Sequence, residues 1–209
     1  MQPTETRFQG VKRLLRYLKG TLQLSLHVKP MQHMRLVAFT DADWATYLDD
    51  RRSVEGVCVY LGDNLVSWSL RKKRAISRSS VESEYRALAN GASEIKWLNS
   101  LLTELGLRLK QPSMIWCDNL SAKALASNPV QHARSKNIEI DIHFIRDMIL
   151  KREVDVHYVR SKFQVADYLT KALMQGQFEK NKSKLRLCYA PSSRMLRHNQ
   201  FLCNYLHFC

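Results

Sequence analysis

Residues Arg35 to Asp43 read RLVAFTDAD, a largely apolar run that leads into Thr40, Asp41, Ala42 and Asp43. A short apolar run suits a strand buried on both faces, and an acid at its carboxyl end sits where α/β sheets place ligand chemistry. Asp41 is therefore the first candidate site residue, and the rest of the chain can be asked what joins it.

Outward from this strand, Gly56 to Leu61 (GVCVYL) and Leu65 to Leu70 (LVSWSL) flank the turn Gly62-Asp63-Asn64 and predict a hairpin. Together with the opening strand they make an antiparallel trio. The run Arg71 to Arg78, RKKRAISR, then holds five basic residues in eight. Such a run is a solvated loop in most settings and a set of phosphate contacts beside a nucleic-acid cleft.

Ser79 with Glu82 three residues later is a capping-box pattern, and it predicts a helix that runs to about Leu105 before Gly106. At about 100° per residue Glu84 lies on the same side as Val81, Leu88, Ile95 and Leu102, whereas Glu82 falls on the far side. A carboxylate on an apolar face is costly unless it is paired or metal-bound. An Arg partner, or a place at the edge of the stripe, would also account for Glu84.

Met114 to Cys117 (MIWC) repeats the pattern of a short apolar run ending in an acid, here Asp118. Its simplest local role is to cap the helix predicted over Ser121 to Ala126. Asn128-Pro129 breaks that helix, Ile138 to Leu150 restarts one, and Val154 to Tyr158 is a further strand. A short last helix, Gln164 to Leu173, carries Asp167. On projection Asp167 points away from Val165 and Leu169 and reads as a surface acid near a helix N-terminus.

At the amino end, Phe8, Val11, Leu14, Leu15 and Leu18 recur with helical spacing among Lys12, Arg13, Arg16 and Lys19, and Leu22 to Val28 alternates like a strand before Pro30. The formal net charge is +14 over 209 residues. Residues 1 to 30 hold six Lys/Arg against one Glu, and residues 174 to 209 hold six against one, so the excess is concentrated in the ends. A polyanion partner, nucleic acid first, fits this balance. Without a long apolar run or a signal-peptide core, the chain reads as soluble and intracellular, with no membrane partner. Five Cys and no CxxC argue against a disulfide framework. Cys188, His198, Cys203, His207 and Cys209 match no zinc spacing. From Met174 the chain becomes a basic tail: Glu179 to Arg186 is basic with a helical character, and Cys188 to Cys209 mixes Pro, Ser, His and aromatics without period, which predicts poor order.

Asp41, Glu84 and Asp118 thus offer acids from three elements, and a late helix offers a fourth. Converging carboxylates repel unless a hard divalent cation neutralises them, and oxygen ligands suit Mg²⁺ or Mn²⁺ better than Zn²⁺.

Five ordered stretches carry a resemblance. Thr40 to Trp44 (TDADW), Asp49 to Ser53 (DDRRS), Ser77 to Tyr85 (SRSSVESEY), Trp116 to Asn119 (WCDN) and Lys162 to Lys171 (KFQVADYLTK) closely resemble the ribonuclease H domain of copia-type retrotransposon Pol polyproteins. The likeness covers about residues 35 to 173, and residues 7 to 21 resemble the end of the reverse-transcriptase region that precedes such a domain. The organisation implied is a reverse-transcriptase remnant over 1–30, a ribonuclease H-like domain over 31–173 and a basic tail over 174–209.

The resemblance implies an α/β, ribonuclease H-like fold: a five-stranded mixed sheet, three antiparallel strands first, flanked by helices. It implies Mg²⁺ or Mn²⁺, two ions, held by Asp41, Glu84, Asp118 and Asp167, with Asp167 assigned by the motif against its projection. The reaction implied is endonucleolytic cleavage of the RNA strand of an RNA/DNA hybrid, the 2′-hydroxyl distinguishing that strand. Phosphate contacts would come from Arg71, Lys72, Lys73, Arg74, Arg78 and Lys162. The reverse-transcriptase portion is the implied partner, and a cytoplasmic retroelement particle the implied setting. Alternatives are a catalytically silent nucleic-acid-binding remnant, and an integrase-like site that pairs Asp118 with Glu153. The mobile His that the family often carries before its last acid has no counterpart, since His157 falls within a predicted strand.

Overall fold

The computed structural model describes residues 4–47, 49–127, 138–171 and 175–189. The predicted break at Asn128-Pro129 and the chain from residue 190 on, including His198, Cys203, His207 and Cys209, lie outside the described residues. In chain order the elements are α1 (Glu5–Thr21), β1 (Leu24–Leu26), β2 (Leu36–Asp43), β3 (Val54–Leu61), β4 (Asn64–Lys72), α2 (Ser80–Glu104) and β5 (Ser113–Cys117). Then come α3 (Leu120–Ser127), α4 (Glu139–Leu150), β6 (Val154–Tyr158), a 3₁₀ turn over Ser161–Phe163, α5 (Asp167–Thr170), α6 (Gln175–Asn181) and β7 (Leu187–Tyr189).

The chain divides into two units. The smaller takes in the residues up to His27 together with those from Arg186 on. In it α1 buries none of its side chains, and β1 pairs antiparallel with β7. The strand expected before Pro30 therefore finds its partner in the region 174–209, which the sequence suggests is poorly ordered. Residues 175–189 of that region carry α6 and β7 instead.

The larger unit, Val28 to Leu185, is built on a five-stranded sheet in the order β4-β3-β2-β5-β6. β2 runs antiparallel to β3, β3 antiparallel to β4, and β5 lies between β2 and β6 and pairs parallel with both. This is the mixed sheet with three antiparallel strands first that the sequence implies. The central strand β2 alternates as a buried strand should: Leu36, Ala38 and Thr40 are fully buried, and Phe39 on the other face meets Tyr60 edge-on at 5.9 Å between ring centres. β4 continues through Arg71 and Lys72, so the basic run begins in a strand and not, as its composition suggests, in a loop.

α2 is buried along one side through Tyr85, Leu88, Ala92, Ile95 and Leu102 and packs on β2 and β3. Its closest approach is at Gly91, where an added Cβ would lie 2.5 Å from Thr40 Cγ2 and 3.8 Å from Val57 Cγ1. Thr40 is buried and β-branched, so its methyl has no free rotamer to retreat to. Gly91→Ala would gain about 1 kcal/mol of helix propensity but overpack this contact. A net loss of about 1–2 kcal/mol is expected in urea unfolding; an unchanged midpoint would show that α2 can lift off the sheet freely.

Among the described residues no helix is long and apolar enough to cross a membrane.

Candidate metal centre

The parallel register of β2 and β5 decides where the acids go. Thr40 pairs with Cys117, so Asp41 and Asp118 leave neighbouring strands at the same sheet edge. α2 is aimed at that edge by its first turn. Ser79 Oγ accepts from the Glu82 amide at 3.1 Å, and Glu82 Oε2 accepts from the Arg78 amide at 2.9 Å. Trp44 Nε1, just past the end of β2, donates to the Ser77 carbonyl at 2.9 Å and ties the strand end to the start of the helix.

One oxygen from each of Asp41, Glu84 and Asp118 then lies within 4.8 Å of the others. Asp41 is 2% exposed and Glu84 7% exposed, while Asp118 is half-buried. Burial, with Asp41 and Asp118 alongside, pushes the Glu84 carboxyl up to about 9. Burial also raises Asp41, to about 7; the Thr170 hydroxyl and Lys171 pull it down, and Asp167 and Asp118 push it up. Glu84 Oε2 is buried and has no hydrogen-bond partner. Unpaired, crowded carboxylate oxygens of this kind are what a hard divalent cation satisfies, so the residues fit one.

Glu84 therefore pairs with no Arg. Glu82, which projection places on the far side, is buried as well, but it is answered by Arg86 at 2.8 Å. Asp118 does not cap α3. Asn119 does so, its Oδ1 accepting from the Ala122 amide at 3.0 Å, and this frees Asp118 to face the other acids. Asp118 Oδ2 instead accepts from Ser161 Oγ at 2.8 Å.

Asp167 stands outside the group of three but close enough to raise Asp41. It is not the surface acid that projection suggests. The projection assumed a helix from Gln164, whereas Ser161–Phe163 is a 3₁₀ turn and α5 begins only at Asp167. Asp167 is half-buried; its Oδ2 pairs with Lys171 Nζ at 2.8 Å and its Oδ1 is buried without a hydrogen-bond partner. Ser161, Gln164, Thr170 and Lys171 also serve this edge and were not singled out from the sequence. Their only signal was membership of the Lys162–Lys171 motif or adjacency to it.

Glu153 is at the wrong end of the sheet for a site with Asp118. It precedes β6 and lies beside Ser113, where β5 starts, with its carbonyl accepting from the Ser113 amide at 3.0 Å. Asp118 follows the other end of β5, about 16 Å away along the strand. His157 lies in β6, as the sequence suggests, and its ring is 5.0 Å from that of Trp116.

Of the basic candidates, Arg71, Lys72, Arg74, Arg78 and Lys162 are exposed and Lys73 is half-buried. Lys72 pairs with Asp50 at 2.8 Å and lies over the Tyr47 ring at 3.7 Å, and Lys73 pairs with the buried Glu55. These two are committed to holding the loop after β2 and the edge of β3.

No protein-family model matches the chain. Its relatives include the retrovirus-related Pol polyprotein from transposon RE1 of Arabidopsis thaliana, 46% identical over 191 residues that make up 91% of this chain. The corresponding polyprotein from transposon RE2 of the same plant is 43% identical over the same length, and that from transposon TNT 1-94 of Nicotiana tabacum is 33% identical over 85% of this chain. The chain is homologous to a segment of retrovirus-related transposon Pol polyproteins. It spans 13% of the length of each of these relatives.

Solved structures agree on the fold of this Pol segment. LC11-RNase H1 matches with a TM-score of 0.51 at 13% identity, over 70% of this chain and 96% of its own. The same protein in complex with RNA/DNA hybrid matches with a TM-score of 0.50 at 12% identity, over 65% of this chain and 93% of its own. The sheet order, α2 and the parallel β2, β5 and β6 are thus those of a ribonuclease H fold. The copia-type Pol kinship and the fold agree with the resemblance read from the five sequence motifs.

Proposed function

We propose that this Pol segment is a divalent-cation-dependent endonuclease that cuts the RNA strand of RNA/DNA hybrids. The observation that carries the reading is the meeting of Asp41, Glu84 and Asp118 within 4.8 Å at the sheet edge, in a ribonuclease H fold. Asp41 and Asp118 would hold the cations, Glu84 would bind one of them on the side of the RNA 2′-hydroxyl, and Asp167 would complete the second site. Mg²⁺ or Mn²⁺, two ions for an in-line displacement, supply there the Lewis acidity that activates water and neutralises the leaving 3′-oxygen.

The chain's own residues do the rest. Ser161 orients Asp118, and Lys171 holds Asp167 at the edge of the site. Arg71, Arg74, Arg78 and Lys162 supply phosphate contacts, which position a duplex without reading its sequence. The reverse-transcriptase portion of a full polyprotein would add further grip on the hybrid.

The test is cleavage of an end-labelled RNA/DNA hybrid by the purified chain with Mg²⁺ or Mn²⁺. Wild-type protein is expected to cut the RNA strand internally, leaving 5′-phosphate and 3′-hydroxyl ends. Glu84→Gln, nearly isosteric, is expected to bind hybrid with little change and to cut at least about 100-fold more slowly, since several kcal/mol of charge stabilisation is withdrawn. Protein that binds hybrid but never cuts it, with either cation, would leave the chain a nucleic-acid-binding remnant.

A further inference from the structure

Asp167 reaches the site from a one-turn helix, and a segment so short cannot hold its own position. Three contacts hold it. Gln164, fully buried, donates from Nε2 to the Thr40 carbonyl at 2.9 Å and accepts the Ala166 amide at 3.2 Å. Gly56, the cross-strand partner of Asp41, leaves room for α5 to press on the sheet: a Cβ there would lie 2.9 Å from Thr170 Cγ2 and 3.1 Å from the Ala166 carbonyl. Thr170 closes the arrangement with its hydroxyl, which donates to Asp41 Oδ2. The other acceptor within reach, the Asp167 carbonyl, is 3.5 Å away.

We propose that Thr170 is a positioning residue of the metal centre, whose hydroxyl occupies one oxygen of Asp41 and so fixes which oxygen the carboxylate presents to a cation. The inference rests on the cation-dependent reading of the site. The residue has two separable functions: its methyl fills the space above Gly56, and its hydroxyl orients Asp41. Partners that orient a ligating carboxylate commonly set metal affinity by about 10–100-fold when removed. A residue that merely packed α5 on the sheet would work through its methyl and be indifferent to the hydroxyl.

Thr170→Val keeps both branches of the side chain and loses the hydroxyl, whereas Thr170→Ser keeps the hydroxyl and loses the methyl. Mn²⁺ binding to the full chain without nucleic acid, followed by calorimetry or by the electron paramagnetic resonance of free Mn²⁺, reads the difference. Thr170→Val is expected to bind about 10–100-fold more weakly than wild type, with Thr170→Ser within a few-fold of it and the metal-free unfolding midpoint of Thr170→Val close to wild type. Should Thr170→Val fail to fold, Thr170→Ala against Thr170→Ser makes the same comparison with the methyl absent from both. Equal affinities for the hydroxyl-bearing and hydroxyl-free variants overturn the role of Thr170 alone. Absence of Mn²⁺ binding by wild type, with Asp41→Asn indistinguishable from it, overturns the cation-dependent reading and the role of Thr170 with it.

Discussion

Asp41→Asn is expected to lower cleavage of the RNA strand by at least about 1,000-fold and, in the same protein, to raise the stability of the metal-free fold. The first effect follows because Asp41 belongs to the group of three acids that would hold the cation, and Asn removes the charge that binds it. The second follows because burial and the neighbouring Asp167 and Asp118 disfavour that charge in metal-free protein more than the Thr170 hydroxyl and Lys171 favour it. Asn keeps an oxygen to accept the Thr170 hydroxyl, so the geometry of the strand end survives the substitution. Relief of the buried charge should raise the metal-free unfolding midpoint at about pH 8 by about 2–8 °C, the equivalent of about 1–2 kcal/mol in a chain of this size. Asp43→Asn is the control. Asp43 follows on β2 but stands outside the group of three, and it should leave both quantities near wild type. A metal-free midpoint that falls in Asp41→Asn would show that the carboxylate is an ordinary structural acid.

The second large effect is a stability that falls with pH and is restored by a divalent cation. The Asp41 carboxyl is raised from an ordinary 3.8 to about 7 by burial, against the Thr170 hydroxyl, and Glu84 from 4.5 to about 9 by burial and by its acidic neighbours. Below about pH 3 both groups are protonated, folded or unfolded, and neither costs anything. As pH rises from there the unfolded chain releases protons that the folded chain retains, so metal-free stability declines, and the decline levels off above about pH 9. Because the two groups share one field their contributions do not simply add, and a combined loss of several kcal/mol is expected across this window. Mg²⁺ at about 100 times its dissociation constant should return about 2.7 kcal/mol at pH 8. It should return almost nothing at pH 5, where protons hold the ligand oxygens. Urea unfolding with EDTA or Mg²⁺ at the two pH values measures both. A metal-free stability that is flat between pH 5 and 9 contradicts the burial of these carboxylates.

Part of this site is legible in the residues alone. An apolar run ending in acids marks Asp41, because side-chain alternation along a strand is local. The 3.6-residue period places Glu84 on the apolar side of a long, capped helix, because that period is local too. Asp118 is visible only as a repeat of the first pattern, and local chemistry favours the wrong role for it, since nothing nearby in the chain shows that Asn119 takes the capping bond. Asp167 fails a projection that is sound for a continuous helix, because a 3₁₀ turn resets the phase just before it. Burial of Glu82 beside Arg86 likewise depends on tertiary packing and not on α2 alone. The fold was legible to the extent that strand and helix periods are, but the parallel pairing of β2 with β5, which brings Asp41 and Asp118 together, joins segments far apart in the chain.

The bond from Thr170 to Asp41 spans 129 positions of the chain, and that from Gln164 to Thr40 spans 124. Closing loops of this length costs chain entropy before any contact rewards it, and folds rich in such contacts form slowly. The β3–β4 hairpin, closed by the two residues Gly62 and Asp63, has no such delay. On refolding, sheet signal should therefore recover ahead of Mn²⁺ binding, and the metal centre should be the last part of the molecule to mature. A site built this way has its own timing control: its acids do not meet while the chain is still partly folded.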